Sequence, residues 1–172
     1  MVGQGVLREC LLDPEVSSVV SVGRTALKEK HDKLRDIVHP DLLDLSPIDL
    51  SGFDACFFCL GITSAGMNEA DYRRITHDMT MAAARPLSEA NPDMTFIYVS
   101  GAGTDSTERG RSMWARVKGQ TENELLALPF RAYMFRPGVI QPLHGITSNT
   151  RLYRILYRVS GPVIPLLRKL FP

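Results

Sequence analysis

The sequence lacks most features that would place it in a special class. It has three cysteines, too few and odd in number for a secreted disulfide framework. Its formal net charge is +1, so no overall attraction to nucleic acid is expected. No apolar run is long enough to span a membrane, and no signal peptide is evident. The reducing cytoplasm is the expected compartment. No internal repeat or low-complexity segment is visible. What remains is ordinary for a globular protein: 44% hydrophobic and 23% charged residues. At 172 residues the chain is expected to form one domain, 1–172, with a real core.

The cysteines and histidines do not point to a metal. Cys56 and Cys59 form C-x-x-C, but Asp54 to Leu60 reads as a strand. Residues three apart on a strand point to opposite faces, so the pair is expected neither to share a metal nor to close a bridge. Cys10 reads as a small apolar residue on a helix face. His77 lacks a partner at ligand spacing and reads as a structural residue at the surface or facing a sheet.

The stretch from Phe96 to Lys118 organises the chain. Met94 to Val99 is apolar, β-branched and aromatic, and it stops at Ser100-Gly101-Ala102-Gly103. A buried strand of a parallel sheet looks like this where it opens into its carboxyl-end loop. Open α/β sheets bind their ligands at that edge. Arg111 to Leu128 reads as a helix, with Trp114 and Lys118 four apart and hence on one face. A lysine one turn from an aromatic residue, after a strand ending in serine, suggests a nucleotide-dependent redox site.

These residues resemble the short-chain dehydrogenase/reductase superfamily. That family places a serine after its fifth strand and Tyr-x-x-x-Lys on the next helix. Its tyrosine is the general acid/base, and its lysine holds the nicotinamide ribose and lowers the tyrosine pKa. Lys118 matches the lysine, whereas Trp114 stands at the tyrosine position. An indole N–H only donates and cannot take up a proton. The family serine corresponds to Ser100, or Gly101 holds its place and Ser100 is one residue early. Val117-Lys118-Gly119 and Phe135-Arg136-Pro137-Gly138-Val139 look like the atypical, Tat-interacting oxidoreductase-like branch. The likeness covers nearly the whole chain.

The remaining segments take their roles from this resemblance. Val6, Leu7, Cys10 and Leu11 have helical spacing, and Gly3 fits the last glycine of the family's phosphate loop. Glycines there let backbone approach a pyrophosphate at a helix N-terminus. The first strand and first two glycines of that pattern are absent from this alignment, so the chain as it stands is expected to bind NADP weakly or not at all, and a form extended upstream to bind it. Ser17 to Val22 reads as a strand followed by Arg24. An arginine at that place accommodates a 2′-phosphate, which implies NADP rather than NAD. Arg35 to His39 is a short strand ended by Pro40, and the resemblance sets Asp41 and Leu42 against the adenine. Phe53 to Leu60 is the next strand, and Gly61 opens its loop beside the cofactor ribose.

Glu69 to Ala90 has the longest helical pattern, with Pro86 kinking it or ending its regular part. Thr76 stands where related dehydrogenases carry a proton-relay asparagine. Phe130 to Phe135 is the last strand, and Pro137 and Gly138 are implied to lie beside the nicotinamide. Thr150 to Val159 carries Leu152, Ile155, Leu156 and Val159 on one face and arginines outside it. This tail, 150–172, reads as amphipathic. It packs on its own domain or makes peripheral membrane contact.

Strands alternating with helices give an α/β fold: a Rossmann-like parallel sheet with flanking helices, lacking the first strand. The neighbours of that strand are expected to face each other as unpaired edges or to close together. Two functions fit. One is an NADP-binding (or NAD-binding) oxidoreductase or epimerase acting on an unknown small molecule, with Ser100 orienting a carbonyl and Lys118 the ribose. The other is a non-catalytic module that binds the nicotinamide dinucleotide for regulation or interaction. Trp114 and Thr76 favour the second; Lys118 and Arg136-Pro137-Gly138 serve both.

Overall fold

The computed structural model describes residues 2–138 and Ile140. The tail 150–172 lies outside the described residues. The element order is α1 (Val2–Leu12), β1 (Val19–Gly23), β2 (Leu34–Val38), β3 (Ala55–Phe58), α2 (Glu69–Arg73), a π-helical turn (Arg74–Asp78), α3 (Met79–Ala90), β4 (Thr95–Val99), α4 (Met113–Leu126) and β5 (Arg131–Phe135). Every strand pairing is parallel. The strands form two sheets, β1-β2 and β3-β4-β5. β1 and β3 are not paired with each other, and α1 packs against both of them.

The core lies under one face of the larger sheet. In β4 the side chains alternate, and Phe96 and Tyr98 point inward. Phe96 stacks on Phe130 with ring centroids 4.9 Å apart, and Phe58 lies 6.1 Å from Phe96. Met81, Ala84 and Leu87 of α3 and Leu125 of α4 close this layer. The opposite face is different. Phe57 and Tyr133, which flank Ile97 in register, are exposed, as is Phe135. β4 is therefore buried on one face and only half-buried on the other, although its continuous apolar run reads as buried on both.

The long helical segment begins where Asn68 caps it. The Asn68 side chain accepts from the Asp71 N–H at 2.9 Å, and Glu69 and Asp71 add negative charge to the first turn. It then widens into the π turn before continuing as α3, in which Pro86 is an internal residue. The π turn buries His77, correcting the surface or sheet-facing reading. Its Nδ1 lies 2.7 Å from Asp78 and its Nε2 2.8 Å from Glu124 of α4. Burial alone would raise the Glu124 pKa, but His77, Gln120 and Arg85 outweigh it and lower it. Asn91 ends α3. Its amide donates to Leu87 and Leu50 carbonyls and accepts from the Phe53 N–H, which fixes the approach to β3.

Candidate functional site

Within each sheet the parallel strands put their carboxyl ends on one edge, and each sequence-derived loop residue follows one of those ends. Arg24 follows β1, Asp41 and Leu42 follow β2, Gly61 follows β3, Ser100 follows β4, and Pro137 and Gly138 follow β5. Gly3 opens α1, where an added Cβ would stand 3.3 Å from Cys59 just beyond β3. The loops after β4 and β5 are tied together. The Ser100 N–H donates to the Phe135 carbonyl at 2.8 Å, and the Ala102 N–H to the Pro137 carbonyl at 2.9 Å. Ser100, Pro137 and Gly138 therefore form one continuous patch.

The other positions are apart from that patch. Asp41 holds its own turn by accepting from the Leu43 N–H at 2.9 Å, and Leu42 packs on the core. Arg24 is exposed. An added Cβ at Gly61 or Gly101 would meet nothing within 4 Å, so backbone there is open to a close-approaching ligand.

Lys118 joins α4 to the patch. Its Nζ donates to the Ser100 carbonyl at 2.5 Å. Desolvation lowers its pKa, and the carboxylate of Glu122, one turn on, pulls the other way. Glu122 is only 1% exposed, a position where an unpaired charge would be very costly. Arg136 supplies its partner: Nε lies 3.1 Å from both carboxylate oxygens, and Nη2 makes a further contact with one of them. That hydrogen bonding raises the Arg136 pKa. Arg136 also donates to Ser106 Oγ at 2.6 Å, so one guanidinium links β5, α4 and the loop after β4. Sequence reasoning missed Glu122. Its signal was the Lys118–Glu122 spacing of four, which on an exposed helix face is an ordinary surface pair.

Trp114 lies over the loop it follows. Its Cη2 would be 3.3 Å from a Cβ at Gly103, whose φ of 86° also favours glycine. Proton donors are poorly placed around it. The Ser100 hydroxyl is committed to the Phe135 carbonyl at 3.2 Å. Tyr98 is buried, and burial pushes its pKa up. Thr76 is buried on the π turn with no hydrogen-bond partner for its hydroxyl among the described residues. All three cysteines are free thiols, and burial pushes Cys56 up to about 12 and Cys59 up to about 11, far from a reactive thiolate at neutral pH.

No family model matches the chain. It is similar to "Protein FMP52-1, mitochondrial" of Scheffersomyces stipitis, 30% identical over 130 residues, which cover 72% of this chain and 55% of that protein. FMP52-2 of the same yeast is 28% identical, over 71% of this chain and 54% of that protein. FMP52 of Debaryomyces hansenii is 25% identical, over 87% and 68%. The chain thus spans about half the length of the first two relatives. A crystal structure of a short-chain dehydrogenase/reductase from Vibrio parahaemolyticus superimposes with a TM-score of 0.52 at 14% identity, covering 81% of this chain and 75% of that one. The fold is Rossmann-like, with parallel strands flanked by helices.

The expected cytoplasmic location is corrected by the relatives, all three of which are named as mitochondrial proteins. Free cysteines and a balanced charge suit any reducing compartment, so composition could not separate the two.

Proposed function

We propose that the chain forms one domain that binds a nicotinamide dinucleotide along the carboxyl edge of its strands, with NADP preferred. The observation that carries this reading is the bond from Lys118 to the Ser100 carbonyl, which sets a cationic side chain beside the open backbone at Gly101. The residues fit the nicotinamide half of such a ligand better than its pyrophosphate. Lys118 would hold the ribose, and Pro137 and Gly138 the ring side. Gly3 at the start of α1 would stand at the phosphate loop. Arg24 favours a 2′-phosphate, while Asp41 and Leu42 border the adenine end. The relatives' naming supports a mitochondrial setting.

The dinucleotide supplies hydride chemistry when bound. Trp114 cannot exchange the matching proton, and Tyr98 is buried with a raised pKa. These two residues favour a second reading, a nucleotide-binding regulatory or interaction module of the atypical branch, over an oxidoreductase or epimerase. NADPH consumption against a carbonyl panel separates them, run with Trp114→Tyr beside the unaltered protein. Calorimetric titration with NADP and NAD is done on the same samples. The module reading expects heat of binding and no turnover until tyrosine is restored. Turnover by the unaltered protein would favour the enzyme, and absence of binding to either nucleotide would reject both.

A further inference from the structure

Charge around Lys118 does not balance. Desolvation disfavours its ammonium, and Glu122 is the carboxylate that acts on it. Glu122 is already engaged, because Arg136 Nε lies 3.1 Å from both of its oxygens. Two cations and one carboxylate leave one positive charge. Lys118 makes no salt bridge among the described residues. The nearby Asp105 is turned into its own loop, where it accepts from the Thr107 hydroxyl and the Gly110 N–H at 2.6 Å. A half-buried ammonium in this state is stabilised by an opposite charge brought to it.

Hydrogen-bond donors show the same surplus. Lys118 and Trp114 share a face of α4, and both tips end on the loop 100–103. Lys118 Nζ donates one of its three protons to the Ser100 carbonyl. The indole Cη2 and Cζ2 would stand 3.3 and 3.9 Å from a Cβ at Gly103. Cζ2 and the ring nitrogen share a neighbouring carbon, so the indole N–H borders the same loop. Thr76 Oγ1 is the one buried side-chain polar atom without a partner among the described residues. The indole N–H, which has no acceptor among them, is therefore open to solvent. The loop's hydroxyls point inward: Ser100 donates to the Phe135 carbonyl at 3.2 Å and Thr104 to the Gly101 carbonyl at 2.8 Å. Between the two tips, a Cβ at Gly101 would meet nothing within 4 Å.

We propose that Trp114 and Lys118 form a two-point site for a small carboxylate, with one oxygen on the indole N–H and the other on the ammonium, over the Gly101 backbone. Two separate donors suit the two oxygens of a carboxylate, and the ammonium supplies the matching charge. The indole keeps its proton, so Trp114 holds the ligand without protonating it. The inference goes beyond dinucleotide binding. A ribose hydroxyl at Lys118 is uncharged and leaves the positive charge unmatched, and the ammonium has protons for both ligands.

The test uses the full chain without nucleotide, so its outcome is independent of the cofactor reading. Acetate is titrated into isotope-labelled protein at constant ionic strength, which holds screening fixed. Acetamide serves as the uncharged isostere and inorganic sulfate as the tetrahedral anion. Trp114 fluorescence and the amide shifts of Gly101 and Gly103 are followed. The expected result is a saturable response to acetate, with no comparable response to acetamide or sulfate. Lys118→Met should weaken acetate about tenfold or more, and Trp114→Phe, read by the amide shifts, about fivefold. Lys118→Arg, which keeps the charge, should retain most of the affinity. Melting curves check that each variant folds, and the three probes on the unaltered protein decide the matter where one does not. Three results would overturn the proposal: a response that never saturates, acetamide or sulfate matching acetate, or unchanged acetate affinity in a folded Lys118→Met or Trp114→Phe.

Discussion

Arg136 and Glu122 form a two-point clamp between the end of β5 and the interior face of α4, with Nε 3.1 Å from each carboxylate oxygen. The partners differ in exposure: the Glu122 side chain is 1% exposed and that of Arg136 41%. Their removal is therefore unequal. Arg136→Met leaves a buried carboxylate without its cation, and such losses run to about 3–5 kcal/mol. Glu122→Gln leaves a guanidinium that water can still reach and an amide that keeps a hydrogen bond, costing about 1 kcal/mol. Urea denaturation of the two variants should show the arginine change to be the more damaging. Equal losses would mean that the clamp is not buried in solution.

Lys118 gives a pH signature whose sign is fixed. Burial holds its pKa below the ordinary 10.5, with Glu122 opposing. The unfolded chain therefore binds this proton more tightly than the folded one. Between the lowered folded value and 10.5, the unfolded state carries more protons, and stability contributed at this position rises with pH. Lys118→Met removes that linkage. The stability of the unaltered protein minus that of Lys118→Met should climb as the pH rises toward the ordinary lysine value of 10.5. A flat or falling difference across that range would show that the ammonium is not desolvated.

Gly119 is where α4 presses on the loop after β4. A Cβ there would lie 1.8 Å from the Asp105 carbonyl oxygen, and the Asp105 N–H is already bonded to the Ala115 carbonyl at 3.1 Å. Backbone cannot yield as a flexible side chain does. Gly119→Ala should destabilise by about 1–3 kcal/mol despite alanine's better helix propensity, read as a lowered urea midpoint. A neutral or stabilising change would mean that the loop stands off the helix.

The strands were legible because each β-branched or aromatic run stops at a conformational break: Gly23, Pro40, Gly61, Ser100-Gly101, Pro137. Their parallel order followed from the helical patterns between them. The π turn was not legible, because Arg74-Ile75-Thr76-His77-Asp78 continues an ordinary helical pattern and the extra residue per turn leaves no compositional mark. The role of Asn91 was hidden for a related reason: its partners, Leu50 and Phe53, are about forty residues away in sequence. The open face of the larger sheet was also hidden, since an apolar run such as Ala55 to Phe58 looks the same whether one face or both are covered. Within the site, Ser100 and Lys118 could be picked by spacing. Glu122 could not, because only Arg136, fourteen residues on, explains its burial.

Arg24 separates the two nicotinamide cofactors. A guanidinium bonded to an extra phosphate contributes roughly 1.5–3 kcal/mol. Arg24→Ala should weaken NADP about tenfold or more and leave NAD nearly unchanged, as measured by calorimetric titration of both. Equal weakening would make Arg24 a structural residue, and no weakening would remove it from the site.

The most direct test of the dinucleotide site is Trp114 fluorescence during titration with oxidised NADP. Trp114 is the only tryptophan in the chain, and it lies over Gly103 one helical turn from Lys118, so the signal comes from the site alone. The account predicts weak but saturable quenching, with a midpoint that Lys118→Met moves about tenfold or more to higher concentration, the loss of one charged hydrogen bond. Quenching that never saturates, or a curve that Lys118→Met leaves in place, would contradict it.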